Sequence, residues 1–381
     1  MQSSSKRICM LISGLNKGGA EKQLVQLAVG LKETGWKVML VSIIPPIEFL
    51  TELSDAGVDV ISLDIPRGMP DLRMFFRMIK LLKSFQPHIL LCFMFHAILL
   101  GRITGRLTGV PRIICSIRGE RYGEKYWGVG RVRTKARELI VGLTDHLSDM
   151  CVVPSHSLAE IVVAQRMVKK SRLTVIPNGI RIEKYDRKAN AKRALHNQLK
   201  IEENDFVWLN VTRLEPKKDH NTLLHSFKQH LSVASNARLL IAGEGPLRNE
   251  LENTADKLGL ENKVKFLGKR DDIPELLCTA DAFVLSSTSE GFPNVLLEAH
   301  AASLPVAATN AEGVSEIVLH GESGLIVEKS NIKLLAEVMN QIWNMPERAR
   351  LKFGMTGYQL VKSKFDAQNI IQQWERLFLN L

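Results

Sequence analysis

The chain has 381 residues, 45% of them hydrophobic and 24% charged, with a formal net charge of +11. That length exceeds what one hydrophobic core usually serves and that composition excludes a disordered chain, so two folded domains are expected. The basic excess sits in one half: residues 1–185 carry 27 Lys and Arg against 15 Asp and Glu, and residues 186–381 carry 24 against 25. Nucleic acid, an anionic membrane surface and phosphorylated ligands each fit such an asymmetry.

The opening "MQSSSKRICMLISGLN" runs from a short polar start straight into a strand, with no signal peptide, and the chain is expected to stay in the cytosol. Its longest apolar stretch, Ile89 to Leu100, is interrupted by His96 and falls short of the roughly 20 residues that cross a bilayer. The cysteines (Cys9, Cys92, Cys115, Cys151 and Cys278) are odd in number and scattered, without C-x-x-C spacing. They read as buried thiols rather than disulfides or a zinc site.

In chain order, "RICMLIS", "KVMLVSI", "VDVIS", "HILLCF", "RIICSI" and "MCVVPS" alternate with longer segments of helical period. "FVWLNVT", "ARLLIAG", "KVKFLG", "AFVLSS" and "PVAAT" do the same in the second half. Unalternated strands of this kind are buried on both faces, so each half reads as a parallel sheet wrapped by helices. Pro177-Asn178-Gly179 closes the first half as a turn, and the boundaries are set at 1–185 and 186–364. The remaining segment, 365–381, forms an amphipathic helix that could pack back on the first domain.

Ligands of open parallel sheets bind beyond the carboxyl ends of the strands, so the loops there carry the chemistry. The first, "ISGLNKGGAEKQLVQLA", places Gly18 and Gly19 before a helix, which suits a phosphate on free amides or a plain tight turn. It matches neither the dinucleotide nor the P-loop spacing. Residues 71–85, "DLRMFFRMIKLLKSF", read as a helix with Arg73, Arg77 and Lys80 along one stripe and an apolar arc wider than a sheet needs, which suits an anionic bilayer. "RGERYGEKYWGVGRVRTKAREL" mixes Arg121, Lys125, Arg131, Arg133, Lys135 and Arg137 with Tyr122, Tyr126 and Trp127. That mixture fits a lipid diphosphate at a membrane, single-stranded nucleic acid or a solvated surface.

In the second half, "LNVTRLEPKKDHNTLLHSF" delivers Arg213 and Lys218 at a strand end, a fork and a point charge that suit a diphosphate. "LLIAGEGPLRNEL" repeats the grammar of strand, glycine loop and helix. "SSTSEGFPNVLLEAHAASLPV" puts Glu290 and Glu298 on either side of a helix start. If Asn294 is the cap, the amides of Val295, Leu296 and Leu297 face an anion, and Glu298 leans back toward the same opening. A nucleotide sugar fits both features, its phosphates on amides and cations and its two sets of hydroxyls on the two carboxylates.

Taken in order, "GGAE", "VTRLEPKKD", "IAGEGPLRNEL", "SSTSEGFPNVLLEA" with its E-x7-E spacing, "EGVSEIV" and "HGESGLIV" resemble the family 4 retaining glycosyltransferases. The resemblance implies a GT-B fold: two doubly wound Rossmann-like parallel-sheet domains facing across a cleft, the first for acceptor and the second for donor. It gives Glu290, Arg213 and Lys218 catalytic roles, with Arg213 and Lys218 on the donor diphosphate in place of a metal ion. Glu298 would take the ribose, Glu290 and the backbone of Gly291, Phe292, Asn294 and Val295 the transferred sugar, Gly18 and Gly19 the phosphates, and Arg270 the region of the base.

Where many members carry His-Gly, this chain has "CSIRGE", so Arg118 replaces that histidine and a histidine role does not transfer to the position. "FMFHAILLGRITGRLTGVPRIICSIRGE" resembles the bacterial enzymes that build O-antigen, capsule and exopolysaccharide. There His96, Arg118 and Glu120 are acceptor-side candidates, and a structural histidine fits His96 equally. The expected activity is transfer of a hexose or N-acetylhexosamine from a nucleotide sugar, UDP-linked by preference, to a lipid-diphosphate-linked glycan on the inner face of the cell membrane. No metal, other cofactor or nucleic acid is expected. The alternatives are a soluble transferase acting on a small sugar, sugar phosphate or glucan, and a non-catalytic sugar or nucleic-acid binder.

Overall fold

The structure, a computed structural model, describes residues 6–16, 18–66, 72–119, 131–185 and 195–381, and over 131–134 the backbone alone. The chain divides into two compact units, Met1–Gly179 with Ala367–Leu381, and Ile180–Asp366.

Among the described residues the first unit holds a seven-stranded parallel sheet. Its strands are β1 (Arg7–Ile12), β2 (Lys37–Ser42), β3 (Asp59–Ser62), β4 (Ile89–Phe93), β5 (Arg112–Ser116), β6 (Met150–Val153) and β7 (Leu173–Val175). They lie in the order β3-β2-β1-β4-β5-β6-β7. β1 and β4 are buried almost throughout, as strands covered by helices on both faces must be. None of the five cysteines forms a disulfide, and all are buried.

The second unit holds six parallel strands among the described residues: β8 (Phe206–Val211), β9 (Ala237–Ala242), β10 (Val264–Gly268), β11 (Ala282–Leu285), β12 (Val306–Thr309) and β13 (Gly324–Val327). Their order is β10-β9-β8-β11-β12-β13. β13, "GLIV", is four residues long, and the sequence reading took it as a motif without assigning it to the sheet.

The division between units falls before position 185. The 3-10 helix Ile182–Tyr185 buries Ile182 and Tyr185 in the second unit's core, and Ile180 bridges to Asp366. Past Asp366, the helix Ala367–Asn380 carries Ile370, Ile371, Trp374 and Phe378 on one stripe. That stripe is buried with Leu24, Leu27 and Phe93 of the first unit. Gly30, inside the helix Gly19–Glu33, is explained by the same packing: a Cβ there would come within 2.1 Å of Ile371. Trp36 Nε1 donates to Glu375 Oε1 at 2.8 Å and pins the helix's polar side.

Candidate active site

In the second unit's sheet β8 neighbours both β9 and β11, so the chain's direction across the sheet reverses at β8 and the loops after β8 and β11 open a crevice between them. The loop after β8 carries Arg213 and, on the 3-10 helix Pro216–Lys218, Lys218. Asp219, in a left-handed conformation (φ 47°), closes it and caps the helix His220–His230 by accepting from Thr222 N at 3.2 Å. Two bonds stitch this loop to the one after β11: Ser286 Oγ donates to Lys218 O at 2.7 Å, and Thr288 N to Lys217 O at 2.8 Å.

Lys218 Nζ and Glu290 Oε1 meet at 2.5 Å, their side chains only 13% and 9% exposed. Burial pushes the Glu290 carboxyl up, but the charges of Lys218 and Lys217 and the Lys218 hydrogen bond outweigh it and hold the group below the usual carboxylate range. From the other side, Glu312 Oε2 accepts the Glu290 N–H at 3.1 Å, and its second oxygen pairs with Lys329 beyond β13. Burial again raises the Glu312 carboxyl, while Lys329 and backbone N–H donors lower it further. One lysine, two glutamates and a second lysine therefore run across the loops after β8, β11, β12 and β13.

Arg213 Nη2 meets Glu215 Oε1 at 3.0 Å, and 56% of the Arg213 side chain faces solvent. Its loop is fixed from behind by the "GEGP" turn. A Cβ at Gly243 would sit 1.9 Å from Thr212 O, and one at Gly245 2.4 Å from Leu214 O. Those glycines serve backbone contact with the Arg213 loop, and Leu214 N donates to Glu244 O at 3.0 Å.

The helix after Pro293 corrects one expectation. Asn294 is the first helical residue of Asn294–Ala301, and Pro293 occupies the cap position without a side-chain bond. Proline fixes the entry backbone at φ −75°, and the Leu296 amide already donates to Pro293 O at 3.0 Å, so it is not open to an anion. Phe292 is buried against Phe365 with ring centroids 5.7 Å apart, and Gly313 lies against the Gly291–Phe292 backbone. Glu298, one turn into the helix, is buried, and the 3-10 helix Ile182–Tyr185 packs against that helix. Arg270 lies beyond β10 at the sheet edge, where Nε donates to Asp272 Oδ1 at 2.7 Å and a second bond goes to the same carboxylate.

In the first unit the corresponding crevice lies beyond β1 and β4. Gly18 is the cap residue of Gly19–Glu33, in extended conformation, and its carbonyl accepts from Lys22 N at 3.0 Å. Met94, at φ 73° and ψ 162°, holds a backbone shape otherwise used by glycine and starts the helix Phe95–Leu107. His96 keeps an exposed edge on that first turn, with its ring edge-on to Phe95, and partial desolvation of the ring and then the Arg137 charge lower its pKa.

Arg118 lies 4.4 Å from the Phe93 ring centroid and 5.7 Å from that of Trp374, while Nη1 donates to Asn178 Oδ1 at 2.6 Å. Burial lowers its pKa to about 9, which leaves it charged at neutral pH. Glu120 and the basic-aromatic residues Arg121, Tyr122, Lys125, Tyr126 and Trp127 lie outside the described residues, as do the side chains of Arg131 and Arg133.

The structure thus joins Lys218 to Glu290 and sets Arg213 on the adjoining loop. It leaves Arg270 tied to its own turn and Arg118 tied to packing. Sequence reasoning missed Glu312 and Lys329. Glu312 stands inside the quoted "EGVSEIV", and an acid just before a glycine at a strand end was the available signal.

Two parallel-sheet α/β units with a polar crevice at the strand ends of the second are the architecture of the GT-B fold. Comparison with known proteins agrees: the family model Glycosyl transferases group 1 matches residues 191–359, and Glycosyl transferase 4-like domain matches residues 18–179. The chain belongs to the group 1 glycosyltransferases of family 4, the retaining hexosyltransferase class.

Among its relatives is the capsular polysaccharide biosynthesis glycosyltransferase CapM of Staphylococcus aureus, 28% identical over 321 residues, or 81% of this chain and 80% of the relative. Another is the UDP-Gal:alpha-D-GlcNAc-diphosphoundecaprenol alpha-1,3-galactosyltransferase of Escherichia coli, 27% identical over 77% of each chain. In fold it is similar to Anabaena HepE, solved with UDP and glucose: TM-score 0.86, 21% identity, 99% of this chain and 100% of that one covered.

Proposed function

We propose that the protein moves a hexose or N-acetylhexosamine from a UDP-sugar to a lipid-diphosphate-linked glycan during assembly of a bacterial surface polysaccharide. The observation that carries this reading is the half-neutralised cluster of Arg213, Lys218 and Glu290 at the crevice beyond β8 and β11. A diphosphate arriving there meets two cations that need no metal ion to stabilise the departing nucleotide. Glu290, held by Lys218 on one side and Glu312 on the other, offers its remaining lone pairs to sugar hydroxyls. Glu298 takes the ribose. The printed name of the Escherichia coli relative specifies a UDP-sugar donor and a diphosphoundecaprenol acceptor, and CapM acts in capsule biosynthesis, which supports the same classes here.

The acceptor side falls to the first unit, with His96 and Arg118 as the described candidates. No described helix is long and apolar enough to cross a membrane, and the proposed attachment is peripheral. On the helix Arg73–Phe85 most of the apolar arc is spent on the core: Met78 and Leu82 are buried, and Met74, Phe75, Leu81 and Phe85 are partly so. Arg77 bends back to the Leu63 carbonyl. What remains outward is Leu72 and Phe76, the latter 73% exposed. The packed helices Phe95–Leu107 and Arg131–Leu143 add exposed Leu107, Leu139 and Leu143, with Lys80, Lys83 and Lys135 exposed on the same elements. Exposed apolar side chains and lysines on the same helices suit anionic headgroups.

The test is a transfer assay with UDP-glucose, UDP-galactose, UDP-N-acetylglucosamine and UDP-N-acetylgalactosamine on polyprenyl-diphosphate glycans in anionic vesicles, followed by the anomeric coupling of the product. Transfer with retention, to lipid-linked acceptor and without added metal, is expected. Transfer only to soluble sugars or sugar phosphates would replace the acceptor half of the reading, and binding without any transfer would leave a non-catalytic binder.

A further inference from the structure

We infer that Glu312, held by Lys329, is a positioning residue for Glu290, fixing through the Glu290 amide the direction in which that carboxylate meets the transferred sugar; this rests on the donor reading above. The contacts close a ring over the loops at the strand ends. Lys218 pairs with Glu290, the Glu290 amide donates to Glu312 Oε2 at 3.1 Å, and Glu312 Oε1 pairs with Lys329. Next along the chain, Ser330 Oγ donates to Asp219 Oδ2 at 2.9 Å, and Asp219 directly follows Lys218. β11 and β12 lie between β8 and β13, so this last bond joins loops that are not neighbours in the sheet.

Glu290 is thereby held at both ends. Lys218 fixes its carboxylate, but a carboxylate pinned only at its tip can be reached from more than one backbone direction. An acceptor on the amide fixes the 289–290 peptide plane and with it the Cα–Cβ bond, which removes freedom that sugar binding would otherwise have to freeze. The turn that presents Glu312 is set by Gly313 at φ 77°, where a Cβ would come 3.0 Å from Gly291 O. Burial raises the Glu312 pKa, and the Lys329 hydrogen bond and backbone donors, the Glu290 amide among them, lower it further, so the acceptor is charged at neutral pH.

Packing requires neither side chain. After the Lys329 loop, the helix Ile332–Asn344 is seated by Leu335, Met339 and Ile342, buried with Leu223 and Phe227 of the helix His220–His230. The Lys329 side chain is 34% exposed, and an ion pair so wetted adds little stability. Its contribution is direction.

The experiment measures kcat/KM for transfer from the UDP-sugar that the wild type uses, beside equilibrium binding of UDP, in Glu312→Leu, Glu312→Gln, Lys329→Met and Glu290→Gln. Glu312→Leu, which has no acceptor for the amide, should lower transfer about tenfold, the worth of one hydrogen bond to a charged group, with UDP affinity and the thermal midpoint unchanged. Glu312→Gln keeps an acceptor oxygen and should lose only about threefold, and Lys329→Met should fall between the two.

Equal losses in Glu312→Leu and Glu312→Gln, with UDP affinity falling alongside, would make the ion pair a structural brace, and unchanged transfer in both would make the amide contact idle; either result overturns the inference. Glu290→Gln tells this apart from a failure of the donor reading. If it lowers transfer while Glu312→Leu does not, only the Glu312 role falls. If Glu290→Gln transfers as the wild type does, or the folded wild type neither binds UDP nor transfers, the donor reading falls and the Glu312 role with it.

Discussion

The two crevices of this protein have the same topological origin and opposite chemistry. Beyond β8 and β11, the ion pairs Lys218–Glu290 and Lys329–Glu312 are linked by the Glu290 amide, which donates to Glu312. Beyond β1 and β4 the described groups are Gly18, a strained Met94, an exposed His96 and, past β5, an Arg118 engaged by two rings and an amide. A preorganised ionic lattice is what a diphosphate leaving group needs, since its dipoles are already oriented when charge develops. Exposed apolar residues and lysines on the helices of the first unit suit a large amphiphile. The fold supplies the crevice, and the residues at the strand ends decide what enters it.

The comparison breaks most readily at Lys218. Lys218→Ala is expected to lower transfer by about 10²–10³-fold, whereas His96→Ala costs less than about tenfold, both read as kcat with one UDP-sugar. Equal losses would give the first crevice catalytic machinery of its own.

Next in size is the stability of the ion pair. Removing either partner leaves a largely buried charge, so Lys218→Met or Glu290→Leu alone should cost about 3–5 kcal/mol in denaturant unfolding, and the double variant clearly less than the sum. Additive losses would mean the pair is already separated in solution.

Acid should reveal the same asymmetry. His220 is pushed down to about 4 by burial and then Lys218, and His300 to about 4 by burial. Between pH 6.5 and 4 the unfolded chain binds these protons and the folded one does not, so stability is complete above that window and falls through it on acidification. The slope is at most about 1.4 kcal/mol per pH unit for each histidine. Glu290, with its depressed pKa, adds a loss only below the ordinary carboxylate range. Amide exchange of peptides from the second unit should therefore show opening before those of the first, and His220→Gln should flatten the dependence.

A smaller effect sharpens the first-unit side. Arg118→Met keeps the stem but loses the ring stacking and the Asn178 bond, and about 1–2 kcal/mol of stability is expected to go with them. Transfer at saturating donor should be little changed if the guanidinium serves packing. A rise in acceptor KM without loss of stability would return Arg118 to the acceptor.

Strands, their burial and the loops that bear chemistry were legible because they rest on local pattern: β-branched runs without alternation, glycines before helices, two cations at a strand end. Asn294 was misplaced by one position because Pro293, itself a poor cap, closes the turn through backbone geometry rather than a side-chain signal. Arg118 was legible as a departure from the family, but its engagement with Phe93, Trp374 and Asn178 was not, since those residues come from three distant segments.

By itself the sequence determined two α/β units and the order of most of their strands along the chain, and it singled out Arg213, Lys218, Glu290 and Glu298 as candidates. Only the tertiary structure decided that Lys218 spends its charge on Glu290, that Glu312 takes the Glu290 amide and pairs with Lys329, and that residues 367–381 belong with the first unit. The reason is physical. Secondary structure follows from interactions a few residues apart, whereas these contacts depend on which strands become neighbours, and that order is settled by burying two whole sheets at once.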